Sequence, residues 1–336
     1  MRTWNLAMVG FGNVGREFVR QLVAKQAELR DRYGIDWRLT GVASRRIGWL
    51  ADPAGFDPAR LLAGPPAPAA DGPQDVRQWL AAARADILFE ASSLNRNSGQ
   101  PAIDHLRAAL ESGAHAISAN KGPVVYAYRE LRDLAASRRR RFFFESTVMD
   151  GTPVFSLFAH GLPAADLHGF RGILNSTTNV VLTEMERGIG FDDAVKKAQE
   201  MGIAETDPTD DLEGWDSAVK VAALVTVLMG RPLTVAEVDR TGIGGISAKD
   251  VREALAAGRR YRLVCQAERN RDGVRASVRP ESLPMSDPLA MFEGNTSALY
   301  FDLDVYGLTV IEHRAGVVAT AYGLLADFIR AVSLEC

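Results

Sequence analysis

At 336 residues, with 30 glycines, 15 prolines and a mean hydropathy near zero, the chain has the make-up of ordinary globular domains, which excludes disorder, collagen and long coiled coils. Its length favours two domains, each large enough to bury a core. A formal net charge of −3 carries no basic excess of the kind that nucleic-acid or anionic-membrane binding uses.

Along the first 145 or so residues, strand-like and helix-like segments alternate. Asn5–Val9 reads as a short apolar strand, and Val14 to about Arg32 as a helix with Val14, Phe18, Leu22 and Leu29 at helical spacing. Trp37–Ala43 is strand-like. Residues 48–75, rich in Pro, Ala, Gly and Asp, read as loop with short helical pieces, and Ala63–Ala70 within them as a surface loop. Asp75–Ala83 reads as helix, Ile87–Glu90 as strand, Ile103–Glu111 as helix and His115–Ser118 as strand. Tyr128–Ser137 predicts a further helix, Arg138–Arg141 a solvated basic helix end, and Phe142–Phe144 a strand. This alternation predicts a doubly wound parallel sheet with helices on both faces.

After Gly151 the rhythm changes. Helices dominate from about Asn175 to Leu228, and strand character returns at Tyr261–Ala267, Val274–Val278, Ser297–Leu303 and Leu308–Ile311. That mix predicts an α+β domain with helices on one face of a mixed or antiparallel sheet, and Val317–Val332 closes as an apolar helix. The only cysteines, Cys265 and Cys336, fit a reducing compartment. The N-terminal apolar stretch meets glycine too early for a signal sequence, and the longest later run, Val221–Met229, is far below the ~18–20 residues of a spanning helix. A soluble cytoplasmic protein is the expectation.

Chemistry concentrates in three places. Gly10-Phe11-Gly12-Asn13-Val14-Gly15 follows the first strand and opens the first helix. There the first glycine permits a tight turn, the second a close approach of pyrophosphate, the third close helix–strand packing. The second strand ends Ser44-Arg45-Arg46 with no carboxylate for a ribose hydroxyl, and two guanidiniums suit a 2′-phosphate. NADP is therefore preferred, with NAD open. The chain has only six lysines: Lys25, Lys121, Lys196, Lys197, Lys220 and Lys249. Lys121 follows a strand in Ala119-Asn120-Lys121-Gly122-Pro123, where a parallel sheet binds its ligands. Lys220 lies four residues after Asp216 at the entry to an apolar helix, with Glu205 and Asp211 nearby.

These segments, with Gly172-Ile173-Leu174-Asn175-Ser176-Thr177-Thr178-Asn179 and Asp211-Leu212-Glu213-Gly214-Trp215-Asp216-Ser217-Ala218-Val219-Lys220, come in the order and spacing of homoserine dehydrogenases, which the chain resembles over nearly its whole length. The length looks like the short form, without an aspartate kinase or ACT domain.

The resemblance implies NAD(P)-dependent interconversion of L-homoserine and L-aspartate 4-semialdehyde by a homodimer. It implies a Rossmann-type nucleotide domain (1–150), a catalytic and dimerisation domain (151–311), and a C-terminal helix (312–336) returning to the first. It makes Lys220 and Lys121 the active-site lysines, Asp216 a carboxylate that orients Lys220, and Glu205, Asp211, Asn175, Thr177 and Thr178 the substrate contacts. Gly10, Gly12, Asn13, Val14, Gly15, Ser44, Arg45, Arg46, Ser92, Ser93, Lys121 and Gly316 become cofactor contacts. Glu145, Val148, Asp150 and Thr152 stand where the family holds a monovalent cation such as sodium, largely through backbone oxygens.

The chain departs from the family pattern at Glu312-His313-Arg314-Ala315-Gly316, where a glycine-rich loop is usual, and at Met149-Asp150, where small residues are usual. Two other readings stay open: a dehydrogenase of another small hydroxy amino acid, and a catalytically silent dinucleotide-binding protein.

Overall fold

The run Leu6-Ala7-Met8-Val9 offers water no polar face, and it becomes the centre of a sheet. The computed structural model describes residues 2–67 and 72–333, so Pro68–Ala70 of the expected surface loop and Cys336 lie outside the described residues. The run belongs to β1 (Arg2–Val9), which pairs in parallel with β2 (Ile35–Ser44) and β4 (Ile87–Glu90). β5 (His115–Ser118) and β6 (Phe142–Phe143) continue the parallel side. β3 (Gly48–Ala51) adds an antiparallel edge, giving the order β3-β2-β1-β4-β5-β6. The sheet is thus doubly wound, and its strand order reverses direction between β1 and β4.

The connecting helices are α1 (Asn13–Ala24), α2 (Gln26–Tyr33), α3 (Pro58–Ala63), α4 (Val76–Ala83), α5 (Ala102–Ser112) and α6 (Lys121–Ser137). The single helix expected over 14–32 is two, broken at Lys25, and α2 ends on Gly34 in the left-handed region. Asp75 lies outside α4 as its N-cap, its carboxylate accepting the Gln78 N–H. α6 starts seven residues earlier than expected: Asn120 caps it by accepting the Gly122 N–H, so Lys121 is the first helical residue and not a loop residue. Pro123 is tolerated there because the first turn needs no intrahelical N–H donor. The basic run is not fully solvated, since Arg140 donates to the Gly113 carbonyl and Arg141 is half-buried.

Contacts divide the chain into two units: residues up to Pro153 together with those from Val317 onward, and Val154–Gly316. In the first, α13 (Val317–Ser333) lies along α1, and Ala321, Leu324, Leu325, Phe328 and Ala331 complete its core. Phe89 of β4 packs against Phe18 at 4.5 Å and Phe328 at 6.0 Å between ring centroids.

The second unit opens with α7 (Val154–Ser156) and holds a sheet ordered β12-β11-β7-β9-β10-β8. Its strands are β7 (Leu167–Ile173), β8 (Asp239–Arg240), β9 (Arg259–Asn270), β10 (Gly273–Pro284), β11 (Ser297–Leu303) and β12 (Gly307–Glu312). All pair antiparallel except β8 with β10. The helices are α8 (Ser176–Glu186), α9 (Phe191–Glu200), α10 (Thr209–Leu212), α11 (Trp215–Leu228) and α12 (Ala248–Ala256), of which α8, α11 and α12 pack on β9. β7 and α12 were not expected from the sequence. Tyr300, Arg171, Gln266 and Ser277 lie in register across four strands and line a groove of about 360 Å³.

Candidate functional site

In the first unit the residues after β1 form a cradle. Gly10 takes φ +94° and donates its N–H to Ala43 O (2.9 Å), while a Cβ there would lie 2.2 Å from the Ala91 carbonyl. A Cβ on Gly15 would lie 2.6 Å from Gly10 O. Gly12 differs: a Cβ there would meet nothing within 4 Å, and no side chain caps the helix it precedes. The middle glycine thus leaves open space before uncapped N–H groups of Asn13, Val14 and Gly15, at the strand-order reversal where open sheets bind ligands. The Ser92 Oγ is buried without a hydrogen-bond partner among the described residues. These features fit a dinucleotide's pyrophosphate.

The opposite wall is held by residues that the sequence reading had not singled out. The buried Glu90 accepts the Ser92 N–H at Oε1 (2.8 Å) and meets His105 Nδ1 at Oε2 (2.6 Å). Asn120 Nδ2 donates to Ser92 O (3.1 Å) and Ser93 O (3.3 Å), so α6 positions this loop as well as Lys121. Asn120 was visible in its motif, whereas Glu90 and His105 sit on different elements and left no local signal. Ser44 Oγ accepts from Arg46 and Ile47 N–H groups (3.3 and 3.4 Å), closing the turn into β3. Arg45 and Arg46 are exposed, and neither forms an ion pair among the described residues.

In the second unit the structure brings five of the expected residues together with Lys220. Asn175 ends the β7 exit and caps α8, its Oδ1 accepting the Thr178 N–H (2.9 Å) and lying 3.0 Å from Thr178 Oγ1. Its Nδ2 donates to Asp211 Oδ1 (2.7 Å) and Asp216 Oδ2 (3.2 Å), and Thr177 Oγ1 donates to Asp211 Oδ2 (2.8 Å). Lys220 Nζ lies 2.9 Å from Asp216 Oδ2 and donates to Leu174 O (2.6 Å). Gly214, at φ +79°, turns the chain between α10 and α11, which lets Asp211 and Asp216 converge on one amide.

Burial, and then the neighbouring Asp216 charge, raise the Asp211 carboxyl above its ordinary range, against the opposing bonds from Asn175 and Thr177. Beneath the lysine, burial pushes the Cys265 thiol up to about 11, so it is no nucleophile near neutrality. The Glu205 side chain is exposed and stands outside this network.

The segment expected to bind a cation is tied to α13. Asp327, fully buried, accepts the Glu145 N–H (2.8 Å), and Arg330 reaches Asp327 (3.0 Å) and the Glu145 carboxylate (3.2 Å). Asp150 takes φ +43° and accepts from Thr320 Oγ1 (3.0 Å), Thr152 N–H donates to Met149 O (2.7 Å), and Val148 is buried. Among the described residues no group of three His, Cys, Asp or Glu could hold a metal ion. Gly316, at φ +149°, ends the second unit. No helix is long and apolar enough to cross a membrane among the described residues.

Two family profiles match the chain: "Homoserine dehydrogenase, NAD binding domain" over residues 10–145 and "Homoserine dehydrogenase" over residues 153–329. The chain is similar to an NAD(+)-dependent homoserine dehydrogenase of Pseudomonas canavaninivorans, with 37% identity over 98% of this chain and 96% of that one. A homoserine dehydrogenase of Sulfurisphaera tokodaii is 33% identical over 96% and 97% of the two chains. A crystal structure of a homoserine dehydrogenase from Thiobacillus denitrificans superposes with a TM-score of 0.84 at 28% identity, covering 99% of this chain and 74% of that one. With its cradle, its lysine–carboxylate network and both profiles in place, this chain belongs to the homoserine dehydrogenase family.

Proposed function

We propose that the chain interconverts L-homoserine and L-aspartate 4-semialdehyde with a nicotinamide dinucleotide. The observation that carries this reading is the Asn175–Asp211–Asp216–Lys220 network. An amino alcohol of this kind needs a carboxylate for its ammonium and a proton acceptor at its hydroxyl oxygen, and the network contains both. Asp211 takes the ammonium, the role that the family pattern gives to Glu205, whose side chain stands exposed outside the network. Asp216 and the Leu174 carbonyl hold the Lys220 amine in place. Lys220, acting as the neutral amine, receives the hydroxyl proton to become an ammonium as negative charge develops on oxygen, and in reverse that ammonium returns the proton to the carbonyl oxygen. Thr177, Thr178 and Asn175 shape the floor, and Lys121 acts as the second active-site lysine of the family pattern.

The dinucleotide supplies the hydride acceptor or donor when bound. Gly10, Gly12, Asn13, Val14 and Gly15 would hold its pyrophosphate, with Ser92, Ser93 and Gly316 as further contacts. Arg45 and Arg46, with Ser44, favour NADP. NAD is kept beside it because the Pseudomonas relative is named for NAD(+). The Glu145 and Asp150 carboxylates already have partners, so a sodium ion would rest on the backbone oxygens of Glu145, Val148, Asp150 and Thr152. A homodimer in the cytoplasm completes the proposal, with the row Tyr300–Arg171–Gln266–Ser277 as the face that pairs.

Nicotinamide absorbance followed with L-homoserine and each dinucleotide is the test. Turnover is expected, and Lys220→Ala should lower kcat about 10²–10⁴-fold while leaving the melting temperature near that of the parent. No turnover with either dinucleotide overturns the reading.

A further inference from the structure

We infer that Arg314 is a specificity residue that reads the α-carboxylate of the substrate, an inference that rests on the function proposed above. Strand register places it. Glu312, the last residue of β12, pairs with Ser297, and the adjoining Ala298 pairs with Ile173 of β7. Arg314 lies two residues beyond Glu312, and Asn175 two residues beyond Ile173. Both therefore follow strand ends that lie at the same end of the sheet, two strand spacings or roughly 10 Å apart. An arginine side chain and a small amino acid together bridge that gap.

Further bonds link the segment to α8, whose N-cap is Asn175. Asn179, in the first turns of α8, donates to Gly294 O (2.9 Å), and Thr296 Oγ1 lies 3.3 Å from His313 Nδ1. His313 is thereby fixed to β11's approach, and the next residue is the arginine.

Nothing in the folding of this segment calls for an arginine. Arg314 takes φ +63°, a left-handed conformation that glycine adopts without penalty and a long side chain does not. It is exposed and forms no ion pair among the described residues. The network, meanwhile, serves an ammonium and a hydroxyl with two carboxylates and one amine, and that amine is already committed to Asp216 and Leu174 O. A zwitterionic substrate brings a carboxylate as well. A guanidinium meets it with two parallel donors, which an ammonium cannot do.

The experiment compares the full-length protein with Arg314→Ala, Arg314→Lys and Arg314→Gly, the last suiting the backbone. KM and kcat are measured for L-homoserine, KM for the dinucleotide, and the inhibition constant for 3-aminopropan-1-ol, which is the same amino alcohol without its carboxylate. We expect the alanine and glycine variants to raise KM for L-homoserine ten- to hundredfold with kcat within about threefold. The inhibition constant and the dinucleotide KM should hold within twofold, and lysine should recover part of the loss. An unchanged KM for L-homoserine, an equal weakening of 3-aminopropan-1-ol, or a rise confined to the dinucleotide KM overturns the inference and leaves the functional reading standing. Absence of turnover in the unsubstituted protein overturns both.

Discussion

On the proposed function, Asp211 would be both substrate contact and pH sensor. Its ionised form is disfavoured by burial and by Asp216, so its proton leaves at a higher pH than an ordinary aspartate's. Since the ionised form is the one that would hold the ammonium, kcat/KM should rise with pH along an acid limb lying above the usual carboxylate range. The same shift makes folding stability present below the unfolded aspartate pKa and progressively lost as pH rises through the folded one. Asp211→Asn should therefore weaken homoserine binding at pH values above that limb, where the parent carboxylate is ionised, and flatten this part of the stability profile. A pH series of kcat/KM and melting temperature checks both, and an acid limb at the ordinary aspartate value would count against the assignment. At this scale the sequence was informative where chemistry is local: Asp216 and Lys220 share a helix face, and their pairing follows from spacing alone. The amide of Asn175 bridging two acids 36 and 41 positions away could not be read without the fold.

The β1–α1 junction separates glycines that packing requires from one, Gly12, that packing leaves unexplained and that the proposed function assigns to binding. Gly15 lies against the backbone of Gly10, where added atoms have no room, whereas Gly12 faces open space. Gly15→Val should cost about 2–4 kcal/mol of stability through overpacking. Gly12→Val should leave the melting temperature within a few degrees and weaken dinucleotide binding at least tenfold, as read by fluorescence titration with NAD and NADP. Equal effects from the two variants would refute the division of labour. The parallel strands of the first unit were legible because buried parallel strands are plain apolar runs. β7 was not: His168, Gly169, Arg171 and Gly172 break the pattern, and the glycines are there for steric reasons. A Cβ on Gly172 would lie 2.1 Å from Ala298 O and one on Gly169 2.8 Å from Ala267 O, so neighbouring strands dictate residues with poor strand propensity. β3, four residues in a Pro- and Gly-rich stretch, is a strand only because β2 offers it an edge.

Taken whole, the chain consists of one unit interrupted by another. Residues 2–153 lack α13, and without that helix Phe18, Leu22 and Phe89 lose the apolar surface that covers them. Residues 1–153 alone should therefore show no cooperative thermal transition. The same residues joined by a flexible linker to 317–336 should unfold in one step and bind the dinucleotide. Calorimetry of the two polypeptides decides, and a cooperative transition in the shorter one would show α13 to be dispensable. The two-domain organisation and the closing apolar helix were legible from rhythm and composition. The helix's partner came from the family resemblance alone, because helical periodicity gives a face and not the surface it seeks.

The interruption also has a cost in time. A ribosome adding roughly 5–20 residues per second needs on the order of 10–30 s to traverse residues 154–316 before α13 can emerge. Throughout that interval the nascent nucleotide fold carries an uncovered aromatic seam around Phe18 and Phe89, a standing invitation to chaperones and to aggregation that a contiguous domain would never extend.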